Sequence, residues 1–298
     1  MTKDYVLGLD IGGTNVRMGL VDRSYKAHCV EVVSSRAMSG SGNTVKALTD
    51  SIRDYLERNA GDKEIIAVSA GFPSVIDRDR KKIFSSTNLT GIDGLDVPNE
   101  FFKALNIKTV IEHDAYYLLL YDMISNKIET EGAVMGIYFG TGLGNAMYIN
   151  GRPYIGKHGT ACELGHLAVP GGTRKCSCGN TGCIEMYSCG KALERIAEEK
   201  YPETELSDIF LMHADDAEMD SFVEHMAIAV SAELNIMDPD CMFIGGGLVN
   251  MKGFPKEKLL SYVYEHTRKP YPADDLNIKF SDNFPEKGII GAAMAVFN

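Results

Sequence analysis

The chain has 298 residues, a net charge of −11, 45% hydrophobic residues and 24% charged residues. This composition excludes extended disorder, and the length exceeds the roughly 100 to 200 residues of one core, so we expect two lobes with a cleft between them. The acidic balance argues against nucleic-acid binding, because the longest basic run is Arg80-Lys81-Lys82. Since no apolar stretch approaches roughly 20 residues and no signal peptide opens the chain, we expect a cytoplasmic protein without membrane contact.

The first half of the chain reads as strands alternating with helices. Apolar residues 5–11 end in glycines and residues 16–21 resume the run, which predicts a strand, a tight turn and a second strand. The next predicted elements are a strand at 29–33, a helix spanning 45–56, a strand at 65–70, a helical patch at 101–105, a strand at 109–112 and an apolar stretch at 115–124. This order predicts an α/β lobe over residues 1–114.

The second half repeats this opening. A strand at 133–139, a glycine turn and a strand at 145–149 begin a larger lobe over residues 115–287. The elements predicted after it are helices at 190–200 and 216–237, a strand at 241–244, a helix at 255–267 and a strand at 276–280. A last helix at 288–298 is expected to complete the first lobe.

Three glycine turns follow predicted strands. They are Asp10-Ile11-Gly12-Gly13-Thr14-Asn15, Gly140-Thr141-Gly142-Leu143-Gly144 and Gly245-Gly246-Gly247. Glycines let backbone N–H groups approach a ligand closely, which suits phosphates, although a single turn of this kind can be an ordinary hairpin. The turns are neither a Walker loop nor a dinucleotide fingerprint, because no Gly-Lys-Ser/Thr follows and strands follow the first two.

Three of the seven cysteines crowd together after a histidine. His166, Cys176, Cys178 and Cys183 fall within eighteen residues, and such a set is a standard tetrahedral zinc site with no position left for a catalytic water. Unmetallated thiols or one disulfide remain the alternatives. The other cysteines, Cys29, Cys162, Cys189 and Cys241, are interpreted as small buried hydrophobes.

Asp114 stands where a strand gives way to a helix, in Glu112-His113-Asp114-Ala115. A carboxylate there can point into a cleft and take the proton of a hydroxyl nucleophile during phosphoryl transfer. The same residue could instead cap the helix that begins at Ala115.

These motifs together resemble the ROK sugar kinases over essentially the whole chain. The resemblance implies a two-lobed, actin-like ATPase fold of the ribonuclease H type, with ATP and Mg²⁺ bound in the cleft, a structural Zn²⁺, a hexose substrate and a homodimer. It places Asp10 near Mg²⁺ and the three glycine turns at the nucleotide: Gly12, Gly13, Thr14, Gly140, Thr141, Gly142, Gly144, Gly245, Gly246 and Gly247.

The resemblance also implies roles around the sugar. Asp114 would be the general base and the zinc segment 163–185 would order part of the sugar pocket. The implied sugar-contacting residues are Gly71, Asn88, His113, Asp114, Glu163, His166 and Glu185. Many members have Asn before the base and another Asn two residues after it, whereas this chain has His113 and Tyr116.

Several segments look closest to D-allose kinases, among them Gly71-Phe72-Pro73 and Gly156-Lys157-His158-Gly159. The expected reaction is therefore phosphorylation of a hexose, with the 6-hydroxyl as target and D-allose favoured. Glucokinase, fructokinase and N-acetylmannosamine kinase are alternatives within the family. A sugar sensor without turnover and a transcriptional repressor are alternatives of other classes; the repressor is disfavoured because the first turn begins at Asp10, which leaves no room for a preceding DNA-binding domain.

Overall fold

The computed structural model of the chain describes residues 4–86, 89–129 and 131–298. It divides into two compact units. The first comprises Met1–Ile128, Ile155–Ala161 and Phe284–Asn298, and the second comprises Glu129–Tyr154 and Cys162–Asn283. Each unit contains a five-stranded sheet, as expected for an α/β protein.

In the first unit the strands, numbered in chain order, are β1 (Asp4–Ile11), β2 (Asn15–Asp22), β3 (Ala27–Ser34), β4 (Glu64–Phe72), β5 (Val75–Ile76), β6 (Ile83–Ser85) and β7 (Thr109–His113). Its helices are α1 (Ser35–Ser39), α2 (Thr44–Asn59), α3 (Val97–Leu105), α4 (Asp114–Ser125) and, from the end of the chain, α10 (Lys287–Phe297). The sheet has the order β3-β2-β1-β4-β7. Its first three strands are antiparallel, and β1, β4 and β7 are parallel.

The central strand of this sheet is buried on both faces. Leu7 and Leu9 join the hydrophobic cluster that contains α2 residues, whereas Val6 joins the cluster that contains Ile289 of α10. This alternation follows the two-residue period of a strand. Gly8 is required on the α10 face, because a Cβ there would lie 2.2 Å from the carbonyl oxygen of Ile289.

The division into units differs from the predicted boundary at residue 114. Helix α4 belongs to the first unit, where it packs closely on α10: a Cβ at Gly291 would lie 2.0 Å from the carbonyl oxygen of Tyr117. The segment Ile155–Ala161 belongs to the first unit as well, although its flanking residues belong to the second. A short segment of this kind has no periodic signal from which its place could be predicted.

In the second unit the strands are β8 (Ala133–Phe139), β9 (Leu143–Ile149), β10 (Arg152–Pro153), β11 (Cys241–Gly245) and β12 (Ile278–Phe280). The helices are α5 (Glu185–Ser188), α6 (Gly190–Lys200), α7 (Ile209–His213), α8 (Ala217–Met237) and α9 (Lys256–His266). The sheet order β10-β9-β8-β11-β12 corresponds strand by strand to that of the first unit, and β8, β11 and β12 are parallel. The repeated opening expected from the sequence is therefore present.

One prediction about the cysteines is wrong. Cys189 and Cys241 are buried and Cys162 is partly buried, but Cys29 is exposed. It has a φ of 52° and lies where the pairing of β2 and β3 shifts register, so it sits in a bulge at the edge strand of the sheet.

None of the helices in the described part of the chain is long and apolar enough to cross a membrane.

Candidate active site

Several predicted site residues of the first unit meet at one edge of its sheet. Asp10 is paired in register with Gly71 of β4, and Gly71 is paired with Glu112 of β7. Because these three strands are parallel, their carboxyl ends share an edge, and Asp114 follows directly after β7. Ligands of open α/β sheets bind at such edges.

Asp114 is the first residue of α4. Its Oδ1 accepts a hydrogen bond from the N–H of Ala115 at 2.8 Å, and a carboxylate is favoured by the partial positive charge of a helix N-terminus. His113 occupies the N-cap position, with Nδ1 3.3 Å from the same N–H and 3.1 Å from Asp114 Oδ1. The carboxylate is 29% exposed. Capping is thus shared with His113, and Asp114 remains accessible for chemistry.

Gly71 provides the space that Asp114 occupies. A Cβ at position 71 would lie 3.3 Å from the Cα of Asp114 and 3.2 Å from Cδ2 of Tyr117. Tyr117 is fixed in turn, because its hydroxyl accepts a 2.9 Å hydrogen bond from the buried hydroxyl of Ser69. The position of Asp114 is therefore set by a close contact between β4 and α4.

Asp10 is a second carboxylate at the same edge. Its pKa is raised to about 6, first by burial and then by the negative charge of Asp114, against the opposing effect of the Arg17 guanidinium. Arg17 Nη1 lies 3.5 Å from Asp10 Oδ2. A buried carboxylate whose ionised form is disfavoured by a neighbouring negative charge is a place where a hard cation such as Mg²⁺ would be favourable.

The first glycine turn closes the β1–β2 hairpin. The N–H of Gly12 donates to the carbonyl of Asn15 at 2.8 Å, and the carbonyl of Thr14 accepts the N–H of Ser35 at 3.0 Å. Neither Gly12 nor Gly13 has a positive φ. A left-handed backbone therefore does not explain why glycine stands at these two positions. Close access of a ligand to the backbone N–H groups is a reason that fits them.

The second and third glycine turns follow the neighbouring parallel strands β8 and β11 of the second unit. At the third turn, Gly246 has a φ of +97°, and a Cβ there would lie 2.3 Å from the carbonyl oxygen of Phe139. At the second, the carbonyl of Gly140 accepts the N–H of Gly190, the first residue of α6, at 2.8 Å. Both turns are thus held close to the end of β8.

Glu185 holds the second turn from its other side. Its Oε2 accepts the N–H of Leu143 at 2.9 Å, and a Cβ at Gly142 would lie 2.6 Å from that oxygen. A Cβ at Gly165 would lie 3.4 Å from the same carboxylate. Glu185 therefore connects the glycine turn with the short 3₁₀ helix Leu164–His166, a link that the sequence did not reveal.

The predicted metal ligands are together. The ligand atoms of His166, Cys176, Cys178 and Cys183 all lie within 4.8 Å of one another. The Sγ atoms of Cys178 and Cys183 are 3.7 Å apart, and Nδ1 of His166 is 3.7 Å from Sγ of Cys176. Thiolates bound at about 2.3 Å to a tetrahedral zinc lie about 3.8 Å apart, whereas disulfide sulfurs lie about 2.05 Å apart. The spacing fits a zinc tetrahedron.

The thiols of this cluster titrate differently. Burial raises the pKa of Cys183 to about 12, with neighbouring Cys178 and Cys176 adding to the effect. The pKa of Cys178 is lowered, chiefly by the backbone N–H of Asn180. A cation is what would allow all three sulfurs to be thiolates at once.

Glu163 and Glu185, two more of the predicted sugar residues, lie beside this cluster. Nε2 of His166, the nitrogen not directed at Cys176, is 3.5 Å from Oε2 of Glu163. Glu185 lies near His166, because its side chain packs against Gly165, the residue before His166. Asn88, also expected at the sugar, lies outside the described residues.

Comparisons with known proteins agree on one family. The ROK family model matches residues 6–298. An N-acetyl-D-glucosamine kinase of Pectobacterium carotovorum is 29% identical over 259 residues, which cover 82% of this chain and 84% of that protein. A glucokinase of Thermotoga maritima is 25% identical over an alignment of 320 positions, covering 99% of this chain and 98% of that protein.

Among solved structures, a ROK family glucokinase from Streptomyces griseus in complex with glucose and AMPPNP superimposes with a TM-score of 0.81 at 19% identity. The match covers 98% of each chain. At this identity the likeness shows the fold, which is the two-lobed, actin-like ATPase fold expected from the sequence.

Proposed function

Since this chain belongs to the ROK family of sugar kinases, we propose that it transfers the γ-phosphoryl group of ATP to a hexose hydroxyl, with Asp114 as general base. The observation that carries the assignment is the accessible carboxylate of Asp114 at the sheet edge it shares with Asp10. Family membership supports a kinase; the position of Asp114 supports its role.

In the proposed reaction Asp114 takes the proton of the sugar hydroxyl. The hydroxyl oxygen forms a bond to the γ-phosphorus while the bond between that phosphorus and ADP breaks. The Asp114 carboxylate lies at the N-terminus of α4, where the partial positive charge of a helix favours an anion. Mg²⁺, when bound with ATP, would offset the charge of the phosphates, and Asp10 is the residue we propose to hold it, in part through water. Backbone N–H groups of the three glycine turns would contact the phosphates and the nucleotide.

We assign the cysteine and histidine cluster to Zn²⁺. Zinc, when bound, would hold the segment 163–185 in one conformation. With Nδ1 of His166 directed at the cluster, Nε2 would carry the proton and could donate to a sugar hydroxyl. Glu163 and Glu185 would accept hydrogen bonds from other hydroxyls, and Glu185 would at the same time hold the second glycine turn.

D-Allose is the hexose we propose as preferred, with the 6-hydroxyl as acceptor. Allose differs from glucose only at C3, and His113, beside the base, replaces a residue that is Asn in many family members. An imidazole at this position has a hydrogen-bond donor that reaches farther than that of an amide.

From the resemblance in sequence we also propose that the protein is a homodimer and is located in the cytoplasm. Light scattering and cell fractionation would test these two proposals.

Coupled ADP release with a panel of D-allose, D-glucose, N-acetylglucosamine, N-acetylmannosamine and fructose tests the substrate. We expect kcat/KM to be highest for allose, and we expect His113→Asn to shift the preference towards glucose by about 10-fold, the size of one altered hydrogen bond. Turnover of glucose or an N-acetylhexosamine well above allose by the unmodified protein would rule the allose assignment out and leave the kinase assignment intact.

A further inference from the structure

Arg80 forms a largely buried ion pair with Glu112, two residues before Asp114. Its Nε lies 2.9 Å from Oε2 of Glu112 and its Nη2 lies 2.8 Å from Oε1. The two side chains are only 16% and 13% exposed. The Nε–H group donates a hydrogen bond to Oε2, which fixes the orientation of the pair, whereas Nη2 approaches Oε1 as an ion-pair contact without a hydrogen bond.

The remaining nitrogen of Arg80 joins separate parts of the first unit. Nη1 donates to three carbonyl oxygens, those of Ile76, Asp77 and Gly159, at 3.4, 3.1 and 3.3 Å. Gly159 belongs to the segment Ile155–Ala161 and has a φ of +86°, and a Cβ there would lie 2.3 Å from the carbonyl oxygen of Ile76. One side chain therefore holds the β5–β6 connection, the end of β7 and this segment together.

The backbone of Arg80 indicates that its side chain matters. Arg80 has a φ of 55° in a turn whose Asp77 carboxylate accepts the N–H groups of Lys81 and Lys82 at 2.7 and 2.9 Å. Left-handed backbone is uncommon for residues other than glycine and persists where surrounding contacts determine it. Glycine would fit this turn but could not supply the guanidinium.

Arg80 is connected to the proposed base through Glu112 and His113. Oε1 of Glu112 accepts the N–H of His113 at 2.8 Å, and Nδ1 of His113 lies 3.1 Å from Oδ1 of Asp114. Burial raises the pKa of Glu112, and the charge of Arg80 opposes that rise. Arg80 therefore helps to keep Glu112 an ionised acceptor for the peptide that leads to Asp114.

We propose that Arg80 is a positioning residue for phosphoryl transfer, which acts through Glu112 to hold His113 and Asp114 in place. The inference rests on the proposed function, because it needs Asp114 as the base. Among the described contacts Arg80 touches neither Asp10 nor Asp114, so its effect on the reaction is through the geometry of the site.

Arg80→Lys is the direct test, because lysine keeps the positive charge but cannot make both the Nε hydrogen bond to Glu112 and the Nη1 hydrogen bonds to the three carbonyl oxygens. We expect kcat to fall by about 10- to 100-fold, since small misplacements of a catalytic group cost this much, while the KM for ATP stays within about twofold. Rates are to be expressed per folded protein, from circular dichroism and thermal melting in the same buffer. A purely structural role would lower the folded fraction without this split between kcat and KM.

Arg53→Lys is the matched control, since Arg53 pairs with Asp50 and the carbonyl of Ala104 elsewhere in the same unit, and its kcat should be unchanged. If Arg80→Lys does not fold, Glu112→Gln must show the same loss confined to kcat. A kcat within about twofold of the unmodified protein in the folded variant overturns the inference. Loss of turnover in Asp114→Asn with normal Arg80→Lys would remove the inference alone. An active Asp114→Asn would remove Asp114 as the proposed base, and with it the inference, but would leave the kinase assignment intact.

Discussion

At the scale of single residues, the predicted site contains contacts between residues that are close in the sequence and contacts between residues that are far apart in it. The predicted metal ligands are close in sequence, so their residue types and spacing were enough to predict the cluster that the structure contains. Gly71 and Asp114 are 43 positions apart, and their contact follows from the register of β4 against β7. A single sequence does not contain that register, nor the ion pair of Arg80 with Glu112.

Gly71→Ala tests whether this contact positions the base. The added methyl group would lie 3.3 Å from the Cα of Asp114, closer than ordinary contact, so the start of α4 must move by a few tenths of an ångström. We expect kcat to fall by about 3- to 30-fold, with a small change in melting temperature. Gly40→Ala is the control, because its methyl group would meet nothing closer than 3.5 Å. Unchanged kcat in Gly71→Ala would show that Asp114 tolerates displacement or does not act as base.

At the scale of elements, long periodic segments were predictable and short ones were not. The helix predicted at 216–237 is α8 (Ala217–Met237), and the strand predicted at 133–139 is β8. The short helices α1, α5 and α7 have four or five residues, which is too few to show a helical period, and they were not predicted. The segment 163–185 likewise contains little regular structure, so we expect its order to depend on the metal.

Zinc removal tests that dependence without an activity assay. The purified protein should contain about one zinc per chain by elemental analysis, and Cys178→Ser should lower this content. Chelation should speed tryptic cleavage at Arg174 and Lys175, which lie between the proposed zinc ligands His166 and Cys176. Cys29→Ser, which changes an exposed cysteine outside the cluster, should behave as the unmodified protein does. Equal cleavage with and without chelator would contradict a role of zinc in ordering the segment.

At the scale of the whole molecule, the sequence predicted the class of fold and the repeated order of elements in its two halves. The division into units was predicted less well, because it depends on α4 packing against α10 and on the segment Ile155–Ala161, which joins the first unit through Arg80 and Gly159. Contacts between distant parts of a chain leave no local pattern in its sequence.

The measurement that tests the central claim most directly is hexose-dependent ADP release by Asp114→Asn. Asparagine keeps the size of the side chain and an oxygen that can accept the N–H of Ala115, so helix capping is retained while the base is lost. We predict a loss of about 10²- to 10⁴-fold in kcat at unchanged melting temperature, with Asp54→Asn on the exposed face of α2 as active as the unmodified protein. Turnover in Asp114→Asn within a few-fold of the unmodified protein would contradict the account and reduce Asp114 to a residue of the helix N-terminus.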